Sequence, residues 1–216
     1  MGEIVLAAKI THVPSIWLSE HSKKFKGIRQ NAIDGLVEIG RRAHDRKVDT
    51  YVIFDIHWVV NQGFHLNANA EHDGTFTSHE LPHFLNGMDY HFRGDPELAE
   101  KIAELGNARN LRVMAHRVPG LGFEYGTLIP MHHMNAAGSA RVLSIAGNQF
   151  ASIEEGRQFG EVVADAIRES DRRGPLDTAL ARESRRIAVR KALGGRKKEQ
   201  QQVEKDKWGL AYKENT

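Results

Sequence analysis

The sequence predicts an α/β fold, a mainly parallel sheet flanked by helices, on two observations. Apolar β-branched runs alternate with segments of helical period, in the order strand, helix, strand, helix, strand, strand, helix. The 216 residues, 40% hydrophobic and 27% charged, also carry enough apolar material for one real core.

EIVLAAKI (3–10) reads as a buried strand. From Ile28 to Arg46 apolar residues recur at Ala32, Ile33, Leu36, Val37, Ile39 and Ala43, a helical period. VDTYVIFDI (48–56) is dense in β-branched and aromatic residues and reads as a second strand. Asp95-Pro96 is a helix start, with Asp as N-cap and Pro in the first turn of PELAEKIAEL. LRVMAHR (111–117) and RVLSIAG (141–147) are strand-like, and a helix is expected from about Ile153 through Ile167.

Composition narrows the function classes. With no cysteine, disulfide scaffolds, thiolate zinc sites, iron–sulfur ligation and a cysteine nucleophile are excluded, so any metal must be held by imidazole and carboxylate. No stretch approaches the roughly 18 to 20 uncharged apolar residues of a membrane span, and MGEIVLAAKITHV has no cleavage-site pattern. A cytoplasmic protein without a membrane partner is expected. All twelve histidines lie at or before His133.

The net charge of +2 hides a division: residues 168–216 hold 14 Lys+Arg and 8 Asp+Glu, net +6, leaving 16 and 20 before them, net −4. Residues 1–167 are therefore expected to form the α/β domain, and 168–216 a basic, polar tail that is helical or disordered. The tail lacks aromatic residues until Trp208 and mixes in acids, so a solvated face is expected rather than a nucleic-acid surface.

Chemistry in such sheets sits beyond the carboxyl ends of strands. His12 follows the first strand in KITHVPS and His57 the second in IFDIHW. If those strands are neighbours joined by the 28–46 helix, both imidazoles emerge at one edge, where two of them suit a divalent first-row metal and, with one carboxylate, a facial triad. Asp55 could orient a ligand from behind. The spacing alone leaves open that both are ordinary polar loop residues.

His79-Glu80-Leu81-Pro82-His83 matches H-E-x-x-H, which works only on a helix. Pro82 would cost about 3 kcal/mol inside one, so a loop near the crevice is expected instead. GLGFEYGTLIPMHHM (120–134) places Glu124 and Tyr125 after a Gly-rich turn, with a plain turn into a helix, and His132 and His133 as surface residues, as the bland alternative.

Together LAAKITHVPS, RQNAIDG, VDTYVIFDIHW, TSHELPHFL, GDPEL and FEYGTLIPMHHMN, in order from Met1 to about Ile167, resemble the class III extradiol ring-cleavage dioxygenases. That is the protocatechuate 4,5-dioxygenase beta-subunit-like superfamily, and the match is best to its 3,4-dihydroxyphenylacetate (homoprotocatechuate) 2,3-dioxygenase branch. The resemblance implies Fe(2+) ligated by His12 and His57, and a substrate pocket lined by His116, Glu124, Tyr125 and the ELPHF loop. It implies a catechol and O2 as the small-molecule partners, with ring opening beside the hydroxylated carbons; a homo-oligomer is also expected. Where much of the superfamily has Asp-His-Gly, this chain has Glu124-Tyr125-Gly126.

The resemblance stops near residue 170. Family members continue into a segment that supplies an acid–base histidine and the glutamate that completes the iron site, whereas no histidine follows His133 here. The fold is therefore expected to be incomplete relative to the family, with apolar surface exposed near Val142, Leu143 and Ile145 and with impaired ring cleavage. Two alternatives stand beside the enzyme: a non-catalytic relative acting as a binding or scaffolding module, and a tail-driven nucleic-acid binder.

Overall fold

The computed structural model describes residues 2–170 and 186–189. The chain runs β1 (Glu3–Ala7), α1 (Ser15–His21), α2 (Gln30–Asp45), β2 (Val48–Val60), β3 (Phe64–Asn67), β4 (Glu71–Phe76) and β5 (Met88–Arg93). It continues through α3 (Pro96–Ala108), β6 (Val113–His116), α4 (Tyr125–Met134), β7 (Arg141–Asn148), α5 (Ile153–Glu169) and β8 (Arg186–Val189). The main sheet has the order β1-β8-β2-β7-β3-β6, and β4 pairs with β5 in a separate hairpin.

The mainly parallel sheet holds. β8 is parallel to both β1 and β2, β2 to β7 and β3 to β6, while β3 runs antiparallel to β7. Two expectations need correction. The first two predicted strands are not neighbours, because β8 lies between them; being parallel, they still end at one edge. β8 itself falls inside the stretch expected to be helical or disordered, where the short RIAV signal is outweighed by flanking arginines. Beyond residues 168–170 at the end of α5, the remainder of that stretch, the polar run 194–207 and Trp208 included, lies outside the described residues.

Alternation along β2 builds two cores. Tyr51 and Ile53 face a cluster with Ile33, Leu36 and Ala43 of α2 and Leu128, Ile129 and Met131 of α4. Val52 and Phe54 face the opposite cluster with Leu98 and Ile102 of α3 and Phe159, Val162 and Val163 of α5. With helices on both faces, the inner strands read as continuous apolar runs. Val142, Leu143 and Ile145, expected to be exposed, are fully buried, because β7 sits between β2 and β3 rather than at an edge.

The helix ends follow local rules. Asp95 caps α3 by accepting from Leu98 N–H at 3.2 Å, with Pro96 next to it, and also accepts from the Thr50 hydroxyl at 3.2 Å. Ser152 and Glu155 form a capping box on α5. α4 is apolar nearly all round, as a helix buried between the sheet and α2 must be. Its Pro130 cannot donate to the Gly126 carbonyl one turn back. At its far end the Met134 carbonyl accepts from the Tyr51 hydroxyl at 3.0 Å, and burial pushes the Tyr51 phenol up to about 12, keeping that donor protonated.

Among the described residues no helix is long and apolar enough to cross a membrane. α2 passes so close to α4 that a Cβ on Gly40 would lie 2.5 Å from the Met134 carbonyl oxygen. Gly40→Ala should therefore destabilise the fold by about 1–3 kcal/mol in urea unfolding, although alanine gains about 1 kcal/mol over glycine in an unconstrained helix. Unchanged or higher stability would mean that the two helices are not in contact there.

Candidate metal centre

His12 lies in the loop after β1, at the carboxyl edge of the sheet. His57 is not beyond its strand, as expected, but inside it, at a break in register. Asp55 of β2 pairs with Ala146 of β7, and the next pair is Val59 with Gly147, so Ile56, His57 and Trp58 bulge out between them. Bulges of this kind re-aim side chains at sheet rims. Here the result is convergence: the Nε2 atoms of His12 and His57 are 3.0 Å apart, with the rings edge to face.

At that distance two neutral imidazoles share one proton, one nitrogen donating and the other accepting. The same separation suits a cation, because two nitrogens about 2.1 Å from one ion and roughly 90° apart lie about 3.0 Å from each other. The donor set therefore fits two positions of a divalent metal. Among the described residues no third His, Asp or Glu joins them in a group that could hold a metal ion.

Tyr125, the first residue of α4, lies against the pair, its ring centroid 3.9 Å from that of His57 and 6.2 Å from that of His12. Phe76 of the hairpin also approaches Tyr125, at 6.3 Å between ring centroids. The loop joining β4 to β5 carries the H-E-x-x-H residues in turns, not a helix, with Ser78 Oγ accepting from Leu81 N–H at 3.1 Å. Burial, then the charges of Glu80, Asp55 and Glu124, push the Tyr125 phenol up. Burial also pushes the Glu124 carboxyl up, reinforced by Asp55 and Glu80 and opposed by His79. Asp55, Glu80 and Glu124 thus all lie near enough to Tyr125 to act on its phenol.

His116 sits at the end of β6 and belongs to a different pair. The Gln62 carbonyl, 3.1 Å from His65 Nε2, fixes a proton there, so His65 Nδ1 accepts from His116 Nε2–H at 2.8 Å. Burial and the neighbouring His65 lower the pKa of His116. It approaches the centre through Trp58, at 6.2 Å between rings, beside His57 in sequence. His132 and His133 end α4: His132 is exposed, while His133 is buried against Glu20 at 3.4 Å.

Behind the centre stands Asp55, expected from the sequence to orient a ligand, together with Thr127 and Ser144, which the sequence did not single out. Asp55 is fully buried, with Oδ1 accepting from His57 N–H at 2.8 Å and Oδ2 from the Thr127 hydroxyl at 2.6 Å. Ser144 Oγ lies 3.1 Å from Thr127 Oγ1. Asp55 therefore holds the main chain of His57, not its ring. Its burial follows from alternation: position 55 shares the face of Tyr51 and Ile53, and a carboxylate buried there needs donors. The loop leading to Glu124 is tied down by Asn67, whose amide donates to the Leu121 carbonyl at 3.0 Å, and by His72, stacked on Phe123 at 4.0 Å.

Residues 6–174 match the family described as the catalytic LigB subunit of aromatic ring-opening dioxygenase. Over 174 residues the chain is 43% identical to 3,4-dihydroxyphenylacetate 2,3-dioxygenase of Escherichia coli, covering 79% of this chain and 62% of that protein. An uncharacterized protein from Escherichia coli K12 of known structure superposes with a TM-score of 0.48 at 14% identity, over 73% of this chain and 52% of that one.

Burial lowers the pKa of His72 to about 4, with the nearby Asn69 backbone opposing the shift in part. A buried neutral histidine stabilises the fold fully above its unfolded pKa of about 6.5, and that contribution is lost as pH falls toward 4, because only the unfolded state takes up the proton. Urea unfolding should show a loss on the order of 3 kcal/mol over this window, and His72→Leu should flatten it. A wild-type profile flat from pH 7 to 5 would contradict the burial of a neutral ring.

Proposed function

This chain belongs to the family of the catalytic LigB subunit of aromatic ring-opening dioxygenases, and from that premise we propose that it holds ferrous iron on His12 and His57 for extradiol cleavage of a catechol. The observation that carries the reading is the 3.0 Å approach of the two Nε2 atoms at the carboxyl edge of the sheet. Iron held by His12 and His57 would supply Lewis-acid and one-electron chemistry for activating a catechol toward O2. Tyr125 walls the place where a ring would lie and, with Phe76, limits water. Glu124, just before Tyr125 and with its carboxyl shifted toward the neutral form, can hold or accept a proton beside the pair.

The substrate we propose is 3,4-dihydroxyphenylacetate, opened to 5-carboxymethyl-2-hydroxymuconate semialdehyde in cytoplasmic aromatic catabolism. The 43% identity to a 3,4-dihydroxyphenylacetate 2,3-dioxygenase supports it. The chain spans 62% of that relative's length. Its 216 residues contain no histidine beyond His133, so the acid–base histidine that the resemblance implies is not among them. The alternative reading is a non-catalytic family relative that acts as a binding or scaffolding module.

Three measurements separate these readings. His12→Ala or His57→Ala should abolish stoichiometric Fe(II) binding in anaerobic titration, while His21→Ala or His44→Ala should not; wild-type affinity in the first two would remove the assignment. Under anaerobic conditions 3,4-dihydroxyphenylacetate should bind the iron-loaded chain more tightly than unsubstituted catechol, and equal affinities would remove the basis for the acidic substituent. Ring-opened yellow product should form about 10²–10⁴-fold more slowly than in a chain extended with the relative's C-terminal third, the usual worth of a lost general acid–base. Comparable rates in both would show that an acid–base histidine is not needed here.

A further inference from the structure

We propose that Asp55 is a positioning residue that clamps the two halves of the centre together, fixing the His57 bulge to the first turn of α4 and so setting the approach of His57 to both Tyr125 and His12. The carboxylate is fully buried and its two oxygens serve different elements. One accepts from the main chain of His57, at the turn of the bulge, and the other from Thr127, two residues after Tyr125.

Three features make this a built junction. The contact is so close that a Cβ on Gly126 would fall 2.3 Å from Asp55 Oδ1, so only glycine lets the helix sit there. Ser144 donates to Thr127 Oγ1, whose own proton is committed to Asp55, so the direction of the chain Ser144 to Thr127 to Asp55 is fixed. The first turn of α4 also presents its positive dipole end toward this buried negative charge.

Metal-binding histidines are commonly oriented through their second ring nitrogen. Here the orientation acts through the main chain instead, so a small displacement of Thr127 moves the whole 56–58 bulge. A regular strand would need no such clamp; the break in pairing between Asp55 and Val59 removes the sheet hydrogen bonds that would otherwise hold His57.

The inference rests on the iron reading for one of its two readouts only. Thr127→Val keeps the shape and removes the hydroxyl, and Thr127→Ser restores it. In the metal-free chain, long-range nitrogen–proton spectra should show the ring nitrogens of His57 and His12 shifted in Thr127→Val and at wild-type positions in Thr127→Ser. Co(II), used as the probe metal, should bind Thr127→Val about 10- to 100-fold more weakly, with recovery in the serine variant. If the valine chain does not fold, Thr127→Ala is read the same way. Wild-type ring signals and Co(II) affinity in a folded valine or alanine variant would overturn the clamp. Absence of Co(II) binding by the wild-type chain would overturn the metal reading, while the ring-nitrogen spectra would still decide the clamp.

Discussion

The break in β2 after Asp55 is the feature on which the rest of the centre depends. β1 and β2 are separated by β8, so their backbones lie about two strand spacings, roughly 9.5 Å, apart. Two imidazoles can close that gap only if one leaves the plane of the sheet. In an unbroken strand position 57 would share the face of Asp55 and lie under α4. The bulge lifts it over the rim to meet His12, and Tyr125 from the start of α4 then packs on its ring.

A bulge gives up ladder hydrogen bonds, and a buried carboxylate beside it costs several kcal/mol unless it is satisfied. The two costs offset each other here, because Asp55 accepts from the freed His57 N–H and from Thr127. Below Asp55, Ile53 and Tyr51, one and two steps of the alternation earlier, anchor β2 under α4. Rigidity at the centre therefore comes from packing below it, while the side above, formed by the β4–β5 hairpin and its turn-rich loop, carries the charges of His79 and Glu80.

Much of this was legible in the sequence. Hydrophobic period gave α2, β2, β7 and α5 to within a few residues, and Asp95-Pro96 marked the start of α3. The rule about strand ends singled out His12 and His57 before any geometry was known. Other features were not readable, for physical reasons. α4 stood only as an alternative for the 120–134 segment, because Pro130 and an apolar surface without a helical stripe obscure its period. The hairpin strands were masked by charged and polar residues such as Glu71, His72 and Asp73, although Met88, Tyr90 and Phe92 alternate in β5. Thr127 and Ser144 carry no motif, since their role comes from a tertiary meeting of two elements. The insertion of β8 between β1 and β2 depends on pairing partners far apart in sequence, which local pattern does not encode.

The central claim, that His12 and His57 bind one ion together, is tested most directly by iron K-edge X-ray absorption on the chain loaded anaerobically with Fe(II). The account predicts outer-shell scattering from two imidazoles per iron. A spectrum fitted by oxygen ligands with no imidazole would contradict it.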